Sequence, residues 1–231
     1  MLLFLLSCML TMEVDKERTL FSAENKTFPS CQQKYQTGLE TSVRLQFDIE
    51  EDISGWGSAN YLKMGRYKFI LTAAHVVEDG KVFILDGEEK IPARVLYSNT
   101  IRDVAILVPE RELSVKAKNI KINTEEDIVS DFVNYTGYPS HLGKSTYMGT
   151  VASSSDKKAI IQSFALPGSS GSVVFDKKGR VIGVVSAVSI SQSPLSPYPE
   201  LVETIVYIER VGFLNKKFLK EVFMSDQKRR K

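Results

Sequence analysis

The chain has little of what metal and disulfide chemistry require. Its 231 residues include two cysteines, Cys8 and Cys31, and two histidines, His75 and His141. No C-x-x-C pair occurs, so the usual spacing of a structural zinc site is missing. No metal or other cofactor is expected. A large charge of either sign is also lacking, with 30 Lys and Arg against 28 Asp and Glu and a net charge of +2. The terminal run Lys228, Arg229, Arg230, Lys231 supplies four of those cations and reads as a solvated tail. Nothing in this balance calls for a nucleic-acid partner, and none is expected. Long apolar runs are missing as well. The N-terminal "MLLFLLSCML" falls short of the roughly 20 residues of a spanning helix. The remaining composition, 43% apolar and 25% charged, suits a chain that buries a core. Its length allows one β-rich domain or two small ones.

The first 12 residues can serve as the core of an export signal. Within them "LLSC" resembles a bacterial lipobox, with Cys8 as the residue that would carry a lipid anchor. No Lys or Arg precedes the apolar run, which departs from such signals. The expectation is an exported protein, in the periplasm, in the envelope or secreted; the alternative is a cytosolic or virus-associated one. Residues 13–40 are polar and aperiodic and read as a tether.

From residue 41 the pattern changes. Short runs of β-formers follow one another: 42–47, 58–64, 68–74, 81–85, 93–97, 104–109, 131–138, 147–153, 158–163, 172–175, 181–189 and 204–210. Turn pairs such as Asp86-Gly87 and Lys178-Gly179 separate them. Many short strands at close spacing predict an all-β sandwich or barrel. The end of the chain is different. Leu214, Phe218 and Val222 recur every four residues with Leu219 and Phe223 beside them, which predicts an amphipathic helix in residues 211–231 packed on the barrel.

Chemistry is concentrated in a few places. "LPGSSGSVVF" (166–175) sets a Gly/Ser turn against an apolar strand. Alone it is either a flexible turn or the seat of a nucleophilic serine. A serine hydroxyl needs a neighbouring base, usually a histidine oriented by a carboxylate. His75 stands in "FILTAAHVV", where an apolar strand gives way to a turn, whereas His141 stands in a polar loop. Asp103 stands in "RDVAIL", at the entrance to an apolar strand, where a carboxylate is costly unless paired.

Taken in order, "TAAH", "RDVAIL" and "PGSSGS" resemble the His, Asp and Ser motifs of the trypsin-like serine peptidases. The compact spacing is nearer the HtrA-type and virus-encoded branches. "GRVIGVVSAVS" resembles the hairpin that follows the serine, and the resemblance spans residues 41–210. It implies an all-β double six-stranded β-barrel of the chymotrypsin type, followed by the C-terminal helix. It implies His75, Asp103 and Ser170 as catalytic residues, with an oxyanion hole made by the backbone N–H groups of Gly168 and Ser170. Ser186 would support the aspartate. Ser169 takes the place of the family's Asp or Asn, and Ser172 that of its second Gly. The specificity pocket would have Phe164 at its floor and Ala187 and Val188 in its wall. With no acidic residue there, small aliphatic side chains are expected before the cut, not Lys or Arg. HtrA relatives carry a peptide-binding PDZ module after the protease. Only residues 211–231 follow the last strand here, so regulation by such a module is not expected. The function implied is a serine endopeptidase acting on protein or peptide substrates. The alternatives are a catalytically silent binding module of the same fold, or a self-processing protease of the viral kind.

Overall fold

The computed structural model describes residues 36–50, 53–78, 81–139, 142–192 and 199–230. Cys8, Cys31, His141, the expected signal segment 1–12 and most of the expected tether lie outside the described residues.

Two barrels carry the chain. The first is built from β1 (Ser42–Glu50), β2 (Ile53–Met64), β3 (Tyr67–Thr72), β4 (Val82–Asp86), β5 (Glu89–Asn99) and β6 (Val104–Pro109). They run β1-β4-β5-β6-β3-β2, and β2 pairs back to β1. Short β7 (Lys118–Asn119) adds a parallel pairing to β2. The second barrel comprises β8 (Phe132–Gly137), β9 (Ser145–Ser154), β10 (Lys158–Gln162), β11 (Val173–Asp176), β12 (Val181–Gln192) and β13 (Pro199–Arg210). It closes in the order β10-β13-β12-β11-β8-β9. The expected double six-stranded barrel is therefore the observed one. Closure pairs each of the twelve strands β1–β6 and β8–β13 on both sides and so removes the edges they would otherwise present.

Each of the twelve β-rich runs became a strand. Only β7 was not foreseen, because two charged or amide residues carry no alternation to read. The first barrel is filled by Leu45, Phe69, Leu71, Ile84, Ile91 and Ile106, all fully buried, and the second by Tyr135, Ile161, Ile182 and Ile208. Each such aliphatic or aromatic side chain contributes ~1.5–3 kcal/mol by leaving water.

The C-terminal helix is Lys216–Arg229, capped by the Asn215 side chain, which accepts from the Phe218 N–H at 2.9 Å. Leu219 and Val222 are buried on the first barrel, Phe218 meets Tyr97 edge-on at 5.1 Å, and Phe223 packs on Tyr67 at 4.9 Å. Asp226 extends the buried stripe and is paired with Arg94 of β5, a partner 132 residues away that no periodicity reveals. The helix continues into the basic run. Lys228 and Arg229 form its last turn, where cations oppose the negative end of the helix dipole, and Arg229 donates to the Leu96 carbonyl at 3.2 Å.

A helical stretch at 36–41 precedes β1. The fully buried Asn60 of β2 holds it, donating to the Gly38 carbonyl at 3.2 Å and to Thr41 Oγ1 at 2.9 Å. The Asn60 side-chain carbonyl accepts the Val173 N–H at 3.0 Å, so one side chain joins this stretch, β2 and β11. No described helix is long and apolar enough to cross a membrane.

Candidate active site

His75 is delivered by the end of β3. That strand is buried from Phe69 onward, and the fully buried Ala73 and Ala74 let the chain turn tightly into a 3-10 turn, Ala74–Val76. His75 projects from this turn with its side chain 44% exposed. Asp103 comes from the turn between β5 and β6. There its N–H donates to the Thr100 carbonyl at 3.3 Å, while the Asn99 side chain accepts the Arg102 N–H at 2.9 Å. Its φ of 42° lies in the left-handed region, which Asp tolerates better than most residues.

The carboxylate and the imidazole meet. His75 Nδ1 lies 2.8 Å from Asp103 Oδ2 and 3.0 Å from Oδ1, and the His75 backbone N–H donates to Oδ1 at 2.9 Å. The Ser186 hydroxyl, from β12 of the other barrel, donates to Oδ2. Burial pushes the Asp103 carboxyl upward. The hydrogen bonds from the His75 ring, the Ser186 hydroxyl and the His75 N–H, with the charge attraction of His75, outweigh it and hold the group below the usual carboxylate range. An ionised carboxylate only accepts, so Nδ1 carries the proton and Nε2 of the neutral ring is free to act as a base.

The serine turn is held just as closely. The Ser169 N–H donates to the Leu166 carbonyl at 2.9 Å, and Ser169 Oγ accepts the Leu166 N–H at 3.2 Å. Ser169 is therefore buried and occupied in shaping the turn. The Gly171 N–H donates to the Val185 carbonyl at 2.8 Å, the Ser172 N–H to the Ser169 carbonyl at 3.1 Å, and the Ser58 N–H to the Ser170 carbonyl at 2.8 Å. Gly168 and Gly171 have φ of 92° and 88°, a backbone that glycine alone adopts freely. Among the described residues neither the Gly168 nor the Ser170 N–H has an acceptor, and no hydrogen bond joins the Ser170 hydroxyl to His75.

Phe164 is 38% exposed, Ala187 exposed and Val188 half-buried against the second core. The Phe164 ring packs on Tyr147 at 5.8 Å, and Tyr147 on Tyr135 at 5.4 Å. The Tyr135 hydroxyl donates to the Phe164 carbonyl, and burial pushes that phenol well above its usual range, so it stays a neutral donor. Sequence reasoning missed Tyr135 and Tyr147, which look like ordinary strand aromatics. Among the described residues no group of three or more His, Cys, Asp and Glu is placed to hold a metal.

Several proteases are among the solved structures with this architecture. The active form of the Rv3671c protease of M. tuberculosis superposes with a TM-score of 0.61 at 17% identity, covering 77% of this chain and 78% of that one. A serine endoprotease of Yersinia pestis gives 0.64 at 18%, with 83% and 65% covered. The HtrA-type protease AlgW, with a bound tripeptide, gives 0.63 at 20%, with 85% and 63% covered. At such identities these likenesses speak for the fold. No curated protein matches the sequence. The family model of the trypsin-like peptidase domain does match, over residues 56–184. That span holds His75, Asp103 and the whole serine turn and makes up more than half of the sequence; the chain belongs to the trypsin-like peptidase family.

Proposed function

We propose that the chain is a serine endopeptidase in which Ser170 attacks, His75 moves the proton and Asp103 orients His75. Ser170 Oγ bonds to the scissile carbonyl carbon while its proton passes to His75 Nε2. The oxyanion that forms is met by the N–H groups of Gly168 and Ser170, each donor of this kind being worth ~3 kcal/mol in the transition state. The C–N bond then breaks, and His75 returns the proton to the leaving amine. Water attacks the resulting ester and gives a proton to His75; the ester C–O bond then breaks, His75 returns the proton to Ser170 Oγ, and the carboxylic acid leaves. The observation that carries this reading is the His75 Nδ1 to Asp103 pair at 2.8 Å, which leaves Nε2 available as a base. A fluorophosphonate probe tests it. One probe per chain, on Ser170, is expected; a folded chain that takes no label is instead a silent module of this fold.

Asp103 adds a pH-dependent share of stability. Its carboxyl lies lower in the folded chain than in the unfolded one, where it titrates near ~3.9. Its contribution is therefore complete above that value and lost as pH falls through the folded value. The melting-temperature advantage of the wild type over Asp103→Asn should be constant near neutrality and shrink below about pH 4. A gap that stays constant down to pH 3 would show that Asp103 titrates as in the unfolded chain. At neutral pH the same variant should lose ~10³–10⁴-fold in kcat, since the wrong imidazole tautomer then faces Ser170.

For specificity, Phe164, Ala187 and Val188 offer apolar contact and no charge. A peptide library should show Ala, Val or a similarly small residue before the cut. A strong preference for Lys or Arg would remove these three residues from the pocket.

A further inference from the structure

Ser58 is fully buried in β2 of the first barrel, and all of its polar atoms are bound. Its hydroxyl donates to the Gly168 carbonyl at 2.7 Å and accepts the Tyr138 N–H at 2.8 Å. Its N–H donates to the Ser170 carbonyl at 2.8 Å, and its carbonyl accepts from Thr72 Oγ1 at 2.8 Å. Gly168, Ser170 and Tyr138 belong to the other half of the molecule, 110, 112 and 80 positions along the chain.

The peptide planes of the serine turn give these bonds their meaning. The Gly168–Ser169 plane is held at its oxygen by Ser58 Oγ and at its N–H by the Leu166 carbonyl. The Ser170–Gly171 plane is held at its oxygen by the Ser58 N–H and at its N–H by the Val185 carbonyl. Between them lies the Ser169–Ser170 plane, whose oxygen accepts from Ser172 and whose N–H has no acceptor among the described residues. Held at its own oxygen and flanked by two fixed planes, that plane turns its N–H to the side opposite the Ser169 carbonyl. The first flanking plane also shares the Gly168 α-carbon with the other unbonded N–H. Two of the four bonds that pin the flanking planes come from Ser58, and only one of those uses its side chain.

We infer that the Ser58 hydroxyl is a positioning residue of the oxyanion hole: it latches the Gly168 carbonyl to the first barrel and so keeps the two donor N–H groups aimed before substrate arrives. The inference rests on the peptidase reading above. The interface leaves it little freedom to move. A Cβ built on Gly137 would come within 2.7 Å of Ser58 Oγ, and one on Gly171 within 2.0 Å of its carbonyl. Pre-aimed donors act on the transition state and not on ground-state binding.

The test is Ser58→Ala, which removes the latch and leaves both backbone bonds. The expected result is a kcat lowered about tenfold or more with KM within about twofold, the pattern of an interaction made only in the transition state. Affinity for a peptide boronic acid, which places an oxygen in the hole, should fall by the same factor. Ser58→Cys keeps the volume and a weak donor and should lie between wild type and Ala. Rates are expressed per folded chain, measured by near-ultraviolet circular dichroism. A Ser58→Ala chain whose folded fraction keeps wild-type kcat and boronate affinity overturns the inference and leaves the peptidase reading standing. So does the finding that neither variant holds a folded population, since Ser58 is then a stability residue. Wild-type protein that neither cleaves peptides nor takes the fluorophosphonate overturns both.

Discussion

Ser170→Ala should lower kcat/KM by ~10⁴-fold or more and leave thermal stability unchanged. The size of the loss comes from the triad acting as a unit, in which His75 and Asp103 have nothing to activate once the hydroxyl is gone. The unchanged stability comes from the site. The Ser170 side chain makes no hydrogen bond among the described residues, so its removal orphans no partner. Ser169→Ala is the informative control. Ser169 Oγ accepts the Leu166 N–H inside a turn that is buried at that point, so Ala leaves a donor unpaired at a cost of ~1–3 kcal/mol. It should melt lower than wild type and still take the fluorophosphonate. The reverse pattern, with Ser169→Ala stable but unlabelled and Ser170→Ala active, would move the nucleophile by one residue. Paired melting and labelling curves on the two variants decide it.

Gly171→Ala should be among the most damaging glycine substitutions in the described residues. A Cβ there would sit 2.0 Å from the Ser58 carbonyl oxygen and 2.1 Å from Thr72 Oγ1. Those two atoms are hydrogen-bonded to each other at 2.8 Å, so neither retreats without breaking that bond. The φ of 88° adds strain of its own. Left-handed strain of ~1–2 kcal/mol and overpacking of ~1–3 kcal/mol together take a large share of the ~5–15 kcal/mol that holds a domain together. At ~2–4 °C per kcal/mol for a chain of this size, the melting temperature should fall by about 10 °C. Gly179→Ala separates the two causes. Its φ is 73°, but nothing lies within 4 Å of the added Cβ, so only the strain remains and the loss should be a few degrees. Equal melting of the two variants would mean that the Ser58–Thr72 contact does not constrain the turn.

The strands were legible because their signal is local. Runs such as "VAILVP" and "KAIIQS" alternate or bury within a few residues and stop at turn chemistry, and the structure places β6 and β10 on them. The C-terminal helix was legible for the same reason, through the spacing of Phe218 and Val222. His75, Asp103 and Ser170 could be singled out because each sits in a short motif at a turn, with small alanines before the histidine and glycines around the serine, and Ser186 because its strand resembles the family's hairpin after the serine. The structure brings the first two together with Ser186 and anchors the turn that carries Ser170. What the sequence by itself determined, then, is which segments pair into strands and which side chains have the chemistry to react.

Barrel closure decided the rest. Ser58 is one small residue in "GSANYL", and nothing near it in sequence separates it from any other strand serine. Its bonds to Gly168 and Tyr138 exist because β2 is pressed against the second barrel. Asp226 of the C-terminal helix is buried because Arg94 of β5 meets it, a partner that no local pattern reveals. The lowered Asp103 carboxyl has the same origin, since one of its three donor groups, the Ser186 hydroxyl, arrives from 83 residues away. Periodicity and turn chemistry act over one turn or one pleat, whereas the orientation of a donor is set by whatever the fold packs beside it. Candidate reactive residues can therefore be singled out in short motifs, whereas the contacts that hold their turns appear only when both barrels are closed.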